Sequence, residues 1–216
     1  MSIRNISFAK GEYYHLYNRG NSKQKIFLDK KDHEHFLKLL FLCNSERSFV
    51  FRDITKDVFI FDRETTLVNI GAYCLMPNHF HLLVQEKTED GISKFMQKLS
   101  TAYVMYFNAK YNRTGGLFEG KFKSKHISTD QHMKYLFSYI HLNPVKLVEP
   151  KWKERKIINL TKTKLFLRNY LYSSYSEYLG KNRQESVILT RKSFPKYFPS
   201  KKDFESEIIE WLDFNS

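Results

Sequence analysis

Residues 68–86 read VNIGAYCLMPNHFHLLVQE, two apolar runs rich in β-prone side chains that are separated by a proline and an asparagine. This composition predicts a β-hairpin. We expect Val68–Leu75 to form its first strand, Pro77-Asn78 its turn and His79–Glu86 its second strand, since proline is tolerated just before a strand. The hairpin is the centre of the predicted fold.

The second strand of this hairpin carries two histidines on either side of one phenylalanine. Side chains alternate between the two faces of a strand, so His79 and His81 share one face while Phe80 points to the other. Two imidazoles about 7 Å apart on one face can hold a single metal ion. Two half-buried histidines without any ligand fit the same pattern equally well.

The composition favours a globular protein with a polyanionic partner. The chain has 216 residues, 42% of them hydrophobic, enough for one domain, or one domain with an appendage, to bury a core. Lysine and arginine total 36 against 23 acidic residues, a net charge of +13, which favours nucleic acid as the partner. A solvated basic surface and an anionic membrane surface are the alternatives. Neither terminus shows the basic amphipathic helix that would favour the membrane.

The cysteines and the N-terminal residues indicate in which cellular compartment the protein is expected. Cys43 and Cys74 lie far apart in apolar runs, so neither a disulfide framework nor a cysteine-based zinc site is expected. Met1–Lys10 lack an apolar stretch of signal-peptide length, and no run approaches the roughly 18 apolar residues of a membrane span. We therefore expect a cytoplasmic protein without membrane association.

Outside the hairpin, periodicity and turn residues predict further strands and helices. In chain order these are a strand at Tyr13–Tyr17, a helix at Asp29–Cys43, a short hairpin or insertion at Ser48–Thr66, a helix at Ile92–Asn108, a strand at Leu117–Ser128, and a helix that Asp130 caps and that ends before Pro144. This order resembles a ferredoxin-like (RRM-like) α+β sandwich with helices on one face of an antiparallel sheet. Residues 1–148 would form this domain, and residues 149–216 a basic, tyrosine-rich extension packed on or near it.

The last predicted helix places a phenol and an amide on one face. Tyr139 and Asn143 are four residues apart, so their side chains lie one above the other. Ionising a tyrosine of pKa about 10 at pH 7 costs about 4 kcal/mol, which a nearby divalent cation would reduce. The pattern fits a metal-assisted attack on a phosphate, with the amide as a third ligand. A buried amphipathic helix that ends before Pro144 explains the same residues without any chemistry.

Three segments carry a resemblance to a known family: YHLYNRGN at residues 14–21, MPNHFHLLV at residues 76–84 and YIHLNPVK at residues 139–146. In this order they resemble the single-tyrosine HUH transposases and, more narrowly, the REP-associated tyrosine transposases of bacteria. TGGLFEGKFKS at residues 114–124 and the Ser173-Ser174-Tyr175 element are also family-like.

The resemblance implies a single-stranded DNA endonuclease and strand transferase that acts on hairpin-bearing DNA. His79 and His81 correspond to the metal ligands of the family, and Tyr139 to its nucleophile. Asn143 falls where relatives place an amide, often glutamine, as a third ligand, but its side chain is one methylene shorter. Tyr135, one turn earlier, is the competing nucleophile, although only Tyr139 keeps the motif's spacing to Asn143.

The reaction implied by the resemblance links Tyr139 to the 5′ phosphate of a cut strand and frees a 3′ hydroxyl. A 3′ hydroxyl later reverses the step and joins strands, so that no ATP is needed. Imidazole ligands alone would indicate zinc, whereas the resemblance implies Mg²⁺ or Mn²⁺. It also implies a bacterial, nucleoid-associated protein that works as a monomer or a homodimer.

Six cations are predicted to contact DNA: Arg19, Lys110, Arg113, Lys121, Lys123 and Lys125. Three of them, Lys121, Lys123 and Lys125, would share one face of their predicted strand, a row suited to following a phosphate backbone. Lysines that protect an exposed edge strand from aggregation would produce the same row.

Two other functions fit these residues. One is a domesticated protein that binds nucleic-acid hairpins without cutting them, although such a protein has no use for the set of His79, His81 and Tyr139. The other is a metal-dependent nuclease in which water attacks the phosphate, so that no covalent adduct forms.

Overall fold

The computed structural model describes residues 7–155 and 157–213. Its four strands form one antiparallel sheet in the order β2-β3-β1-β4. Their bounds are Tyr13–Arg19 for β1, Val68–Met76 for β2, His79–Glu86 for β3 and Lys123–Ile127 for β4. The predicted hairpin is confirmed, since β2 and β3 pair across the Pro77-Asn78 turn, with Met76 opposite His79.

The α-helices of the described residues are Lys30–Leu42 (α1), Gly91–Lys110 (α2), Asp130–Leu142 (α3), Leu160–Asn169 (α4), Tyr175–Tyr178 (α5) and Lys201–Asp213 (α6). The carboxylates of Asp29 and Asp32 start α1 by accepting hydrogen bonds from each other's backbone N–H. The prediction that Asp130 caps α3 is wrong by one residue, because the Thr129 hydroxyl accepts the hydrogen bond from His132 N. In the described part of the chain, no helix is long and apolar enough to span a lipid bilayer.

Helices α1 and α2 cover one face of the sheet. Phe80 of β3 points to this face, as the alternation of strand side chains requires. Its ring centroid lies 5.1 Å from that of Phe36 in α1, which in turn lies 4.8 Å from that of Tyr103 in α2. Burying one such ring contributes roughly 1.5–3 kcal/mol, so this cluster anchors both helices to the strand that carries the two histidines.

Helix α3 covers the opposite face, on which the two histidines lie. Phe137 and Ile140 of α3 share a buried cluster with Cys74 of β2. The α+β class with an antiparallel sheet is confirmed, but the helices cover both faces of the sheet and not one. The unbroken apolar run at residues 72–76 of β2 is buried throughout and is typical of a strand that is covered on both faces, a signal that the prediction did not use.

Two predicted segments differ from the structure. Leu117–Ser128 contains only the short strand β4, and its first half is a loop that touches β1 through a bridge between Phe118 and Gly20. Gly120 has a φ of 72°, a left-handed conformation that glycine adopts without strain and that interrupts an extended strand. Ser48–Thr66 forms two short 3₁₀ turns, so it is an insertion and not a hairpin.

Residues that follow α4 pair with the free edge of β2. Ser174 N donates to Tyr73 O at 3.0 Å. Beside Tyr73 of β2, the Arg183 guanidinium pairs with the Glu177 carboxylate and donates to the Tyr73 hydroxyl at 3.0 Å. The C-terminal extension is thus in direct contact with the sheet, while a domain boundary after residue 148 stays a prediction.

Candidate active site

Strand β3 presents His79 and His81 on the face that α3 covers. Their ring centroids are 5.0 Å apart, and the rings are nearly perpendicular, at 84°. Strand β1 lies alongside, with Arg19 opposite His79 and Tyr17 opposite His81. These four side chains form part of the wall of a cleft of about 340 Å³.

Each imidazole of the pair is held through its Nδ1 atom. His79 Nδ1 lies 2.7 Å from Asn78 Oδ1, and His81 Nδ1 lies 2.9 Å from Nε2 of His15. With Nδ1 engaged, Nε2 is the nitrogen of each ring that can bind a further partner. Sequence reasoning missed His15 as a site residue, although it lies in the YHLYNRGN segment and on the same face of β1 as Tyr17.

Burial keeps these imidazoles neutral at pH 7. Burial first, and then the Lys146 cation, lower the pKa of His79 to about 4. Burial, together with His15 and His79 nearby, holds the pKa of His81 well below its usual range. Burial also lowers the pKa of His15 to about 4. Neutral imidazoles have the free lone pair that a metal ligand needs.

Helix α3 brings the phenol of Tyr139 to the histidines. Its ring centroid lies 5.2 Å from that of His81 and 5.9 Å from that of His15. Phe137 and Ile140 of α3 are buried in the cluster that packs on this face of the sheet, and this packing fixes the helix that carries Tyr139. Burial raises the pKa of Tyr139, while a hydrogen bond with the Asn143 side chain acts in the opposite direction. The phenol of a distant helix and the imidazole pair therefore meet in one cleft.

The competing tyrosine, Tyr135, has a different environment. It is 42% exposed, and the cleft that contains the two histidines is lined by Tyr139 and not by Tyr135. The ring of Tyr135 stacks on that of Tyr139 with centroids 5.9 Å apart, and it contacts Trp211 of α6 at 5.3 Å. Tyr135 is thus a neighbour of the cleft and a natural control for Tyr139.

Asn143 is buried directly after α3. Its Nδ2 donates to the Tyr139 carbonyl oxygen at 2.8 Å. Burial lowers the pKa of His79 and raises the pKa of Tyr139, and the nearby Asn143 amide acts against burial in both cases. The amide is thus fixed at the end of α3 by its hydrogen bond to the Tyr139 backbone, while its role as a third ligand stays a prediction.

Cations surround the imidazoles and the phenol. Among the described residues that line the cleft, Arg19, Lys123 and Lys146 are cationic, and Arg19 also pairs with Glu119 at 2.7 Å. Arg19 and Lys123 are predicted from the sequence, but Lys146 is not, although it ends the YIHLNPVK segment. Lys153 is also missed, and its Nζ lies 5.0 Å from the centroid of the Tyr139 ring.

Strand β4 continues this positive surface. Lys123 lies opposite Tyr17 and Lys125 opposite His15, so both lysines are on the strand face that carries the site. Lys121 precedes the strand and lines a neighbouring cleft with Asn18. The predicted row of three lysines therefore has two members on the strand and one in the loop before it.

Two of the six predicted DNA-contact residues lie elsewhere. Lys110 forms ion pairs with Asp29 at 2.8 Å and Asp32 at 2.6 Å, where α1 and α2 meet. Arg113 lies over the ring of Phe107, 5.4 Å from its centroid. The structure does not bring these two residues to the cleft.

The donor set of the cleft fits a divalent cation. His79 and His81 can each offer Nε2, and Asn143 can offer Oδ1, since its Nδ2 is engaged by a carbonyl oxygen. The described residues contain no group of three His, Cys, Asp or Glu side chains that could hold a metal ion, so a cation held by His79, His81 and Asn143 would need further ligands from outside the protein. Such partial shells are typical of sites in which phosphate oxygens and water complete the coordination of the cation.

A solved structure of a REP-associated tyrosine transposase bound to a REP hairpin aligns with 86% of this chain and 90% of its own, at 14% identity and a TM-score of 0.52. A putative transposase from Deinococcus radiodurans R1 aligns with 65% of this chain and 95% of its own, at 14% identity and a TM-score of 0.38. No curated protein matches the chain. At 14% identity, the first of these likenesses shows the fold alone.

A family model described as IS200-like transposase matches residues 10–143. The match runs from just before β1 to Asn143, and it includes the histidine pair of β3 and the phenol of α3. Because it extends over more than half of the sequence, the chain belongs to the IS200-like transposase family.

Proposed function

We propose that this protein cuts and rejoins hairpin-bearing single-stranded DNA through a covalent 5′-phosphotyrosine link at Tyr139. Membership of a transposase family implies an enzyme that cleaves DNA. The observation that carries the finer proposal is the meeting of Tyr139 with His79 and His81 in one cationic cleft. A hairpin substrate is supported by the structural neighbour, a tyrosine transposase bound to a REP hairpin.

In the proposed first step, the phenolic oxygen of Tyr139 attacks the scissile phosphorus. A bond forms between that oxygen and phosphorus, and the bond between phosphorus and the 3′ oxygen breaks. The phenol loses its proton and the departing 3′ oxygen gains one, so that the net transfer of the proton is from the phenol to the 3′ hydroxyl. The products are a phosphotyrosine and a free 3′ end.

The surroundings of Tyr139 both hinder and help this attack. Burial raises its pKa, which disfavours the phenolate, and the hydrogen bond with Asn143 partly offsets this effect. His79, His81 and the Asn143 amide oxygen would hold a divalent cation, Mg²⁺ or Mn²⁺. When bound, the cation would supply positive charge that stabilises the attacked phosphate.

The lysines and the arginine of the cleft would bind the DNA backbone. Arg19, Lys123 and Lys146 line the same cleft as the phenol, and Glu119, which pairs with Arg19, is the one acid among the described residues beside them, so a phosphate placed next to Tyr139 would meet a net positive charge. Lys125 extends this surface along β4. Lysine and arginine at such a position orient the strand and neutralise charge that develops on the phosphate during attack.

The covalent link would conserve the energy of the phosphodiester bond. A 3′ hydroxyl that attacks the phosphotyrosine forms a new bond to phosphorus, releases the Tyr139 oxygen and returns a proton to it. One phosphoester bond is formed for each one broken, so the joining step needs no nucleotide cofactor.

Tyr139→Phe and Tyr135→Phe form a matched pair of variants that tests the proposal. Each purified protein is incubated with Mn²⁺ and a pool of labelled hairpin oligonucleotides whose single-stranded flanks are randomised, and adducts are resolved in sodium dodecyl sulfate. The wild-type protein and Tyr135→Phe should form a covalent adduct. Tyr139→Phe should form none and still bind the oligonucleotides, since only one hydroxyl is removed.

Three results would contradict the proposal. An adduct formed by Tyr139→Phe would show that another residue is the nucleophile. Cleavage by the wild-type protein without any adduct would indicate attack by water. Tight binding of hairpins without cleavage of any flank would indicate the domesticated binding protein.

A further inference from the structure

A third imidazole contacts the histidine pair from the neighbouring strand. His15 Nε2 lies 2.9 Å from His81 Nδ1, and the two rings are inclined by 30° with centroids 5.0 Å apart. His81 is 5% exposed and His15 9%, so water competes little for this contact. The strand register produces it, because Tyr17 is opposite His81 and His15 is the diagonal neighbour on the same face.

A hydrogen bond between two neutral imidazoles has a direction. Each ring carries one N–H and one lone pair, so either His81 Nδ1 donates to His15 or His15 Nε2 donates to His81. In the first case, His81 keeps a lone pair on Nε2. In the second case, the proton of His81 sits on Nε2 and prevents this atom from binding a cation. The direction of one hydrogen bond therefore decides whether His81 can act as a ligand.

The other histidine of the pair shows how the fold fixes such a tautomer. Asn78 Nδ2 donates to the Lys23 carbonyl oxygen at 3.1 Å, which turns the acceptor Oδ1 of Asn78 towards His79 Nδ1 at 2.7 Å. His79 must then carry its proton on Nδ1 and keep its lone pair on Nε2. His15 occupies the equivalent position beside Nδ1 of His81.

We propose that His15 is a positioning residue, which accepts a hydrogen bond from His81 Nδ1 and so keeps the Nε2 lone pair of His81 ready for a divalent cation. This inference rests on the metal role proposed above for His81. Partners that orient a histidine ligand in this way are worth about 10- to 100-fold in metal affinity. The tautomer of His81 is therefore a property of β1 as much as of β3.

Two substitutions separate this role from packing. His15→Leu keeps an apolar side chain in the buried site but removes the acceptor. His15→Gln retains a carbonyl oxygen at a similar distance from the backbone, which can accept the same hydrogen bond. We expect Mn²⁺ binding to weaken by about 10- to 100-fold in His15→Leu and to stay close to that of the wild-type protein in His15→Gln.

Nitrogen-15 chemical shifts of the metal-free protein, labelled at histidine, report the tautomer directly. In the wild-type protein and in His15→Gln, His81 should carry its proton on Nδ1. In His15→Leu, the population of the Nε2–H form should rise. A wild-type His81 that carries its proton on Nε2 would overturn the proposal, and this measurement does not require any variant to fold.

Mn²⁺ affinity is measured without DNA, from the electron paramagnetic resonance signal of the free ion. Equal affinities of the wild-type protein and His15→Leu would overturn the proposal. Mn²⁺ binding that survives in a variant with both His79→Ala and His81→Ala would refute the metal site and this inference with it. If the tautomers and the Mn²⁺ affinities are as expected but Tyr139 forms no covalent adduct with DNA, only the proposed reaction is refuted, and the role of His15 is supported.

Discussion

The ion pair between Arg183 and Glu177 fastens the C-terminal extension to the sheet, and Arg183→Met should strongly destabilise the protein. The Glu177 side chain is fully buried, and the guanidinium that pairs with it also donates to the Tyr73 hydroxyl at 3.0 Å and to the Leu171 carbonyl oxygen at 2.6 Å. Methionine leaves the carboxylate buried without its charge partner, a loss of about 3–5 kcal/mol in the free energy of unfolding. At roughly 2–4 °C per kcal/mol for a chain of this size, Tm should fall by roughly 6–20 °C.

Thermal and urea unfolding, followed by circular dichroism, measure this loss. Arg168→Met is the matched control, because its pair with Glu205 is partly exposed, at 48% and 22%, and should contribute only about 0.2–1 kcal/mol. Burial raises the pKa of Glu177 even beside Arg183. Removing the guanidinium, whose charge lowers this pKa, should raise it further. The destabilisation by Arg183→Met should therefore grow as pH rises above the folded pKa of Glu177 in the wild-type protein, which lies above the usual value, and shrink below it, where the carboxyl is protonated in both folded proteins.

A loss equal to that of Arg168→Met, and the same at every pH, would refute this reasoning. It would mean that water reaches the Glu177 carboxylate and that the extension is held to the sheet by other contacts. The result also bears on the site, since Cys74 of the β2 segment that receives the extension lies opposite His81.

Three further outcomes follow from the site and its surroundings. Replacing His79 and His81 together by alanine should abolish Mn²⁺-dependent cleavage of the oligonucleotide pool, and cleavage that persists in a chelator would exclude the metal role. Lys146→Ala should weaken hairpin binding and lower the dependence of log K on log salt by about one ion, whereas Lys110→Ala should leave that slope unchanged; equal slopes for both variants would show that Lys146 does not meet a phosphate. Burial lowers the pKa of His141 from 6.5 to about 3. The unfolded chain therefore protonates His141 at a higher pH than the folded protein does, so the free energy of unfolding should fall as pH drops from about 6.5 towards 3. Unfolding measured at several pH values should show that His141→Gln reduces the dependence of this free energy on pH by the equivalent of about one bound proton.

The features that sequence analysis places correctly are those that local rules determine. The β2–β3 turn follows from Pro77-Asn78 between two β-prone runs, and the shared face of His79 and His81 follows from strand alternation alone. Tyr139 and Asn143 are joined by one turn of a helix, so their contact needs no knowledge of the rest of the fold.

The features that it misses depend on how distant elements pack. The apolar run of residues 72–76 in β2 is typical of a strand with both faces covered, but it does not show that α3 is the element that covers the second face. His15 contacts His81 only because β1 pairs with β3 in the observed register, and a shift of one residue would turn it to the opposite face. A partner that orients a ligand is therefore the hardest part of such a site to find without coordinates.

The lysines of the chain show the same limit of sequence analysis. Lys110 and Lys123 look alike in the sequence, since each lies in a basic stretch with few acids. In the structure, packing of α1 against α2 gives Lys110 two carboxylates, whereas pairing of β4 with β1 sets Lys123 opposite Tyr17, in the wall of the cleft. A net charge of +13 therefore favours a polyanionic partner, but it does not show which cations would meet that partner, because packing decides which of them lie in the cleft. On this argument Lys146, which no strand or helix pattern singles out, has a stronger claim to a DNA phosphate than Lys110 has.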